Sequence, residues 1–356
     1  MPFLFSPAVR KENSAFFAAM NTPEGFISEF ENLFSPYHTY MIKGGPGTGK
    51  STLMKKLAKE AEARGIPISY YYCSSDPTSL DAITIEPLKI AVLDATAPHA
   101  VEPSLVCVKD RYLDLAQFVA PTVRQSYGEL ETLTRAKKEA YEQAYLLLKA
   151  LHTADKTLDC LRRDAFQEDK CQKTLERFIE RLGLKEEDTP AKKHLPMSAI
   201  GCGGYVAINS YHEKARATVA VNDRYGVAPR VFKILTSLLR ERKISYTYSL
   251  SPLTLAPDTV WIGQSRILIT ALPLSDTPAL TFNCERFLID RGQGLYKSNK
   301  AIITAEKLLF SEATEAFAKA ARAHQAIEAL YRPALNVNAL NSFTSALIRE
   351  IFTPFS

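Results

Sequence analysis

The chain changes hydrophobic period several times, and each change predicts an element. Thr39-Tyr40-Met41-Ile42 is a short run of β-branched, aromatic and apolar residues, read as a buried strand. Beyond Ser51 the period becomes helical: Leu53, Met54, Leu57, Ala58 and Ala61 share one face, Lys55, Lys56, Lys59, Glu60 and Glu62 the other, and Gly65 supplies the stop. Ile66–Cys73 and Leu88–Asp94 predict two more strands, with Ser74-Ser75-Asp76 just past the carboxyl end of the first. Strand, turn, helix and further strands predict an α/β fold, a parallel sheet flanked by helices. Long helical stretches rich in alanine, lysine and glutamate follow, from about Glu129 to Leu184 and from Ser298 to Ile351. Their apolar positions, such as Tyr145, Leu146, Leu148, Leu151 and Leu158, are expected to cover the sheets or to form antiparallel hairpins, with a protein-partner surface as the lesser alternative.

Sliding the chain half its length along itself places Leu53, Lys55, Leu57, Arg64, Ile66 and Tyr70 on Val231, Lys233, Leu235, Arg242, Ile244 and Tyr248. Gly25-Phe26-Ile27 pairs with Gly204-Tyr205-Val206, and Asp81, Ile85 and Ile90 with Asp258, Ile262 and Ile267; further on, Ala144 and His152 meet Ala316 and His324. The identities are sparse, but the shared order of elements predicts a tandem duplication. Glu186-Glu187-Asp188-Thr189-Pro190-Ala191-Lys192-Lys193 is charged, contains proline and has no apolar period, so it reads as a linker. The expected division is residues 1–187, a linker over 188–194, and residues 195–356.

Between the first strand and its helix stands Gly44-Gly45-Pro46-Gly47-Thr48-Gly49-Lys50-Ser51, a full match to G-x-x-x-x-G-K-[ST] in the strand–loop–helix context that the motif requires. Glycines let successive backbone N–H groups face one phosphate, and the helix start adds its positive end. Gly44 through Thr52 are therefore the expected nucleotide-binding residues, with Lys50 reaching the β- and γ-phosphates and Ser51 a ligand of Mg²⁺. Asp76 and Asp94 both follow strands, where ligands gather at the carboxyl ends of open sheets. Asp94, preceded by four apolar residues, is the favoured Mg²⁺ acid, leaving Asp76 to orient the attacking group. An aspartate capping a turn is the competing reading of each. His99 reads as a loop histidine.

In the second half, Gly44, Gly49, Lys50 and Ser51 fall opposite Asn222, Val227, Ala228 and Pro229. Valine resists the glycine turn, alanine offers no charge and proline lacks a donor, so no phosphate cradle is expected there. This half is read as a packing partner or platform; a catalytic arginine supplied by Arg224 or Arg230 is the sharper alternative.

Composition narrows the class. The 356 residues are 46% hydrophobic and 23% charged with a net charge of +5, an ordinary globular balance that gives little reason to expect nucleic acid. The clusters Arg135–Lys138 and Arg240–Lys243 read as solvated helix faces. Six cysteines without C-x-x-C spacing read as reduced thiols, and Met1–Pro7 shows no leader pattern, which together point to a cytoplasmic protein. No run approaches the roughly 18 apolar residues of a membrane span.

The stretch Met41–Lys56, with Cys73-Ser74-Ser75-Asp76-Pro77 and Leu93-Asp94-Ala95-Thr96-Ala97-Pro98-His99, resembles a poorly characterised bacterial family of tandem P-loop ATPases, over nearly the whole chain. In that family both halves typically carry a live loop, each preceded by a segment similar to Thr22-Pro23-Glu24-Gly25-Phe26; here only the first half keeps it. The resemblance implies ATP binding and hydrolysis and names no acceptor. Without an N-K-x-D sequence, adenine is the expected base. Four functions stay open: an ATPase, a small-molecule kinase with Arg111, Arg124 or Arg135 in a cationic lid, a nucleotide-gated interaction module with little turnover, and, least expected, nucleic-acid binding through the helices.

Overall fold

The computed structural model describes residues 8–10, 14–274, 277–289 and 299–353. Met1–Pro7 and Ser298, named above, lie outside them.

The first half runs β1 (Ala8–Arg10), β2 (Ala15–Phe17), β3 (Ala19–Thr22), β4 (Gly25–Ser28), α1 (Phe30–Phe34), β5 (His38–Lys43), α2 (Lys50–Ala63), β6 (Ile68–Tyr72), β7 (Leu80–Ile85), β8 (Ile90–Asp94) and β9 (Asp110–Asp114). Helices α3 (Tyr127–Ala165) and α4 (Glu168–Arg181) follow. The second half repeats the plan with β10 (Lys192–His194), β11 (Ser198–Gly201), β12 (Gly204–Ile208), β13 (Ala217–Asn222), α5 (Ala228–Glu241), β14 (Tyr246–Leu250), β15 (Pro257–Ile262), β16 (Ile267–Thr270) and β17 (Leu280–Asn283). It ends with α6 (Lys300–Tyr331) and α7 (Val337–Phe352).

Two six-stranded sheets have the same order, β2-β6-β7-β8-β5-β9 and β10-β14-β15-β16-β13-β17. Pairing directions also match: β7 and β15 are antiparallel to both neighbours and every other pairing is parallel. The chain is thus mixed α/β, with helices flanking sheets that contain parallel strands, and the wholly parallel sheet expected from the sequence is corrected by one reversed strand in each half. That strand, Leu80–Ile85, is buried at all six positions, because it sits mid-sheet with both faces covered. Its reversal lets the chain pass from β6 to β8 through two short connections rather than a long crossover. The expected linker 188–194 ends in the edge strand β10.

Helix α2 forms as its sequence predicts. All five apolar positions named above are buried, and Gly65, in the left-handed region at φ 68°, closes it, with the Ile66 N–H donating to the Ala61 carbonyl.

The long helices do not stay with their own halves. α3 and α6 pack against each other through Ala144, Leu148, Leu151, Phe310, Ala313 and Phe317. They run antiparallel, since Val119, ahead of α3, bridges Leu335 beyond α6, while Phe166, just after α3, bridges Leu288 ahead of α6. Each helix therefore carries its chain to the opposite sheet. α4 lays Cys171, Leu175 and Ile179 on α5 and the second sheet, and α7 lays Leu340, Leu347, Ile351 and Phe352 on α2 and the first. The exchange is reciprocal: Asn336 N–H donates to Phe118 O at 2.8 Å, and Gln167 N–H to Phe287 O at 2.7 Å. Carried along the helices, this register matches Ala144 with Ala313, one helical turn from the expected Ala316.

Because α7 belongs in sequence to the second half but in packing to the first core, its loss is felt there. Leu347, 3% exposed, becomes a cavity when cut to alanine. Leu347→Ala should cost about 2–5 kcal/mol in chemical denaturation; an unchanged midpoint would mean that α7 does not hold the first core.

Candidate functional site

The glycine loop joins the carboxyl end of β5, which lies between β8 and the edge strand β9 of the first sheet, to α2. Gly47 and Gly49 take left-handed φ values of 72° and 89°, which strain any side chain; a Cβ would also stand 3.0 Å from the Glu328 carbonyl at Gly47, and at Gly49 it would push aside Leu340 Cδ2, 2.7 Å away. Gly49 precedes α2 without capping it, and among the described residues no side chain is bonded to the helix's first N–H groups. Four donors at the positive end of a 14-residue helix thus open onto the loop.

Lys50 Nζ folds back on the loop, donating to the carbonyls of Gly44 at 2.9 Å and Gly45 at 3.0 Å, and stands 3.6 Å from Asp94 Oδ2. Thr48 Oγ1 ties to Gly45 O, and Ser51 Oγ accepts from Leu80 N–H at 3.1 Å. Pro46 and Thr52 complete the run. Asp94, at the end of β8 next to β5, also accepts the Thr96 N–H and hydroxyl. Asp76 sits apart: its Oδ1 caps Thr78 N–H and hydroxyl in the turn after β6, and its charge acts on Cys202 of the second half. Of the two acids, the fold brings Asp94 to Lys50 and leaves Asp76 at the seam between halves.

Residues that the sequence did not single out reach the loop from the exchanged helices. Tyr331 of α6 lies against Gly45, the Glu328 backbone against Gly47, and Leu340 of α7 against Gly49. The His324 side chain, 3.6 Å away, and the Gly47 amide hold the Glu328 carboxyl below its ordinary value. From α3, Lys137 is half-buried, and burial together with the Lys50 charge lowers its pKa. The basic cluster expected to be wholly solvated therefore sends one lysine inward. The other lid candidates are placed otherwise: Arg111 pairs with Glu350 of α7, while Arg124 and Arg135 are exposed. No signal in a single helical sequence marks which of its charged positions will meet a loop from another layer.

The equivalent place in the second half is filled from within. Asp223, 2% exposed, accepts Val227 N–H at 2.8 Å and Ala228 N–H at 2.7 Å. A fixed carboxylate thus stands at the start of α5 where the first half leaves its donors open. Arg230 is bonded to Asp159 of α3 at 2.7 Å, and Arg224 is exposed over Tyr225.

One pair of equivalent aspartates lies deeper. Asp81 in β7 and Asp258 in β15 are each buried, and burial pushes each carboxyl up to about 6. Asp258 is bonded by the Ser198 hydroxyl at 3.1 Å. Asp81 faces His99, 3.3 Å away; His99 lies in the loop after β8 as expected, and is buried there, 7% exposed and stacked on Phe30.

A family model for the nephrocystin 3 N-terminal domain matches residues 27–179, a stretch shorter than half the chain that begins in β4, includes the glycine loop and ends in α4. No curated protein and no solved structure is similar enough to this chain to count as a match. Among the described residues no helix is long and apolar enough to cross a membrane.

Two outcomes test this reading of the paired sites. Asp223→Ala should cost about 0.5–2 kcal/mol in thermal or chemical unfolding, the value of a helix N-cap; no loss would remove it as the plug of α5. For Asp258, the folded state binds its proton more tightly than the unfolded chain. Its contribution to stability is present below the unfolded value of 3.8 and is lost as pH rises through about 6. Asp258→Asn should therefore gain on the parent by on the order of 2–3 kcal/mol between pH 4 and 7. A difference that stays flat with pH would contradict this.

Proposed function

We propose that the chain binds Mg-ATP at the glycine loop of its first half and hydrolyses it, with a single site per chain. The observation that carries this reading is the contrast between the two helix starts: α2 opens uncapped donors and Lys50 onto a glycine loop, whereas Asp223 fills the same place at α5. A helix start with glycine curvature and a lysine beside it suits a polyphosphate.

The residues fit their roles. Lys50, released from the Gly44 and Gly45 carbonyls, would pair with the β- and γ-phosphate oxygens, and the backbone N–H groups of Gly47 through Ser51 would hold the phosphates in place. Ser51 and Asp94 would hold Mg²⁺, with Asp94 beside Lys50 supplying the acid and Asp76 left to orient the attacking group from the seam. Bound there, magnesium would neutralise phosphate charge and fix its geometry. Lys137 and Glu328, contributed by α3 and α6, stand next to the loop as a cation that can meet added negative charge and a carboxylate that must yield to it. Their source makes nucleotide occupancy sensitive to how the exchanged helices sit, which favours coupling to helix movement over transfer to a small acceptor. Those helices are also the surface on which a protein partner would read the bound state.

Purified protein should release phosphate from Mg-ATP, and Lys50→Ala, used as the blank, should abolish that release while losing a charge-assisted contact of about 1.5–3 kcal/mol to nucleotide. Equal phosphate release by both proteins would sink the assignment. Faster ATP consumption on adding a small acceptor would favour the kinase instead.

A further inference from the structure

We propose that Cys73, Asp81 and His99 form a binding site for a transition-metal cation of the zinc type, beside the glycine loop and separate from the magnesium position. The sheet order places the three together. Cys73 directly follows β6, Asp81 is the second residue of the reversed strand β7, and His99 lies in the turn after β8, so all three sit at one edge of neighbouring strands.

One ligand atom from each lies within 4.8 Å of the others. Four-coordinate zinc with bonds of 2.0–2.3 Å holds its donors roughly 3.5 Å apart, so no pair in the cluster is more than about 1.3 Å beyond that spacing. Thiolate, imidazole and carboxylate form a donor set that suits zinc and is unlike the all-oxygen shell of magnesium. Three protein donors leave a fourth position for water or another ligand.

A second observation points to a cation. Asp81, 4% exposed, has an Oδ2 atom with no hydrogen-bond partner among the described residues, aimed at the ring of His99, whose Nε2 is 3.3 Å away. A buried carboxylate oxygen left this way is costly. Phe30 and Phe26 hold the imidazole by its faces and edge, with ring centroids at 4.9 and 5.0 Å.

The second half supplies the comparison. There Ser251 follows β14 as Cys73 follows β6, and the buried Asp258 is served by the Ser198 hydroxyl. In that half Asp258 takes the Ser198 hydroxyl on Oδ2 and, like Asp81, keeps one oxygen without a partner among the described residues; what differs is the company, since only where the glycine loop survives does the carboxylate face sulfur and imidazole. Deprotonation of the Cys73 thiol, which burial and then Asp81 oppose, accompanies cation binding and releases a proton to solvent.

The test uses the full chain, reduced without thiols, stripped of metal and free of nucleotide, titrated with Co²⁺. One equivalent should produce a thiolate-to-cobalt charge-transfer band and the intense visible bands of a four-coordinate site, and Zn²⁺ should bleach both. Cys73→Ser, the residue tolerated at the matching place in the second half, should remove the charge-transfer band. His99→Ala should weaken binding by at least the roughly 10–100-fold that loss of even an outer partner costs. Cys202→Ser should leave spectrum and affinity unchanged, and Lys50→Ala should leave the spectrum unchanged, which separates this site from the neighbouring thiol and from the nucleotide site. Absence of the charge-transfer band in the parent chain, or its survival in Cys73→Ser, overturns the proposal and leaves the cluster as a hydrogen-bonded core network.

Discussion

Everything at the glycine loop depends on the exchange of helices between the two halves. An amphipathic helix must bury its apolar stripe, and α4 and α7 do so on the sheet of the opposite half. The antiparallel pair α3 and α6 carries them there, fixed at each end by matching backbone bonds at Phe118–Asn336 and Gln167–Phe287. Neither half has a complete core without the other's last helix. The loop is therefore built by one half and enclosed by the other, with Tyr331 and Leu340 against its glycines.

Within that frame a single electrostatic choice separates the halves. The start of a helix presents free N–H groups and a positive end, and something negative is favoured there. In the second half the answer is internal and permanent, the Asp223 carboxylate. In the first half no side chain among the described residues answers, and Lys50 waits on the loop's own carbonyls beside Asp94. On the proposed reading, this difference gives one half a place for an anion and leaves the other as scaffold. The same divergence runs through the deeper pair, where Asp258 rests on a hydroxyl and Asp81 faces an imidazole and a thiol.

The legible parts of the sequence were those whose signal is local. The glycine run, the amphipathic stripe of α2 and the strands on either side of it each announce themselves within about ten residues. The repeat was legible as an order of elements, and the identical strand order of the two sheets supports it; its register in the long helices was not, because alanine-rich helices match themselves at several offsets. Strand β7 was hidden since Leu80-Asp81-Ala82-Ile83-Thr84-Ile85 mixes an acid into an apolar run, which reads as a turn unless the carboxylate's buried partner is known. The destination of α4 and α7 was out of reach for a different reason: an apolar stripe states that it will be buried and not by which sheet. Lys137 and Glu328 follow from that destination, so they could not precede it.

The claim at the centre of this account is that one half keeps an open helix start and the other has closed its own. Titration calorimetry of the full chain with a non-hydrolysable ATP analogue and magnesium measures it directly. One nucleotide per chain is the predicted result, and two per chain, or none, would contradict it.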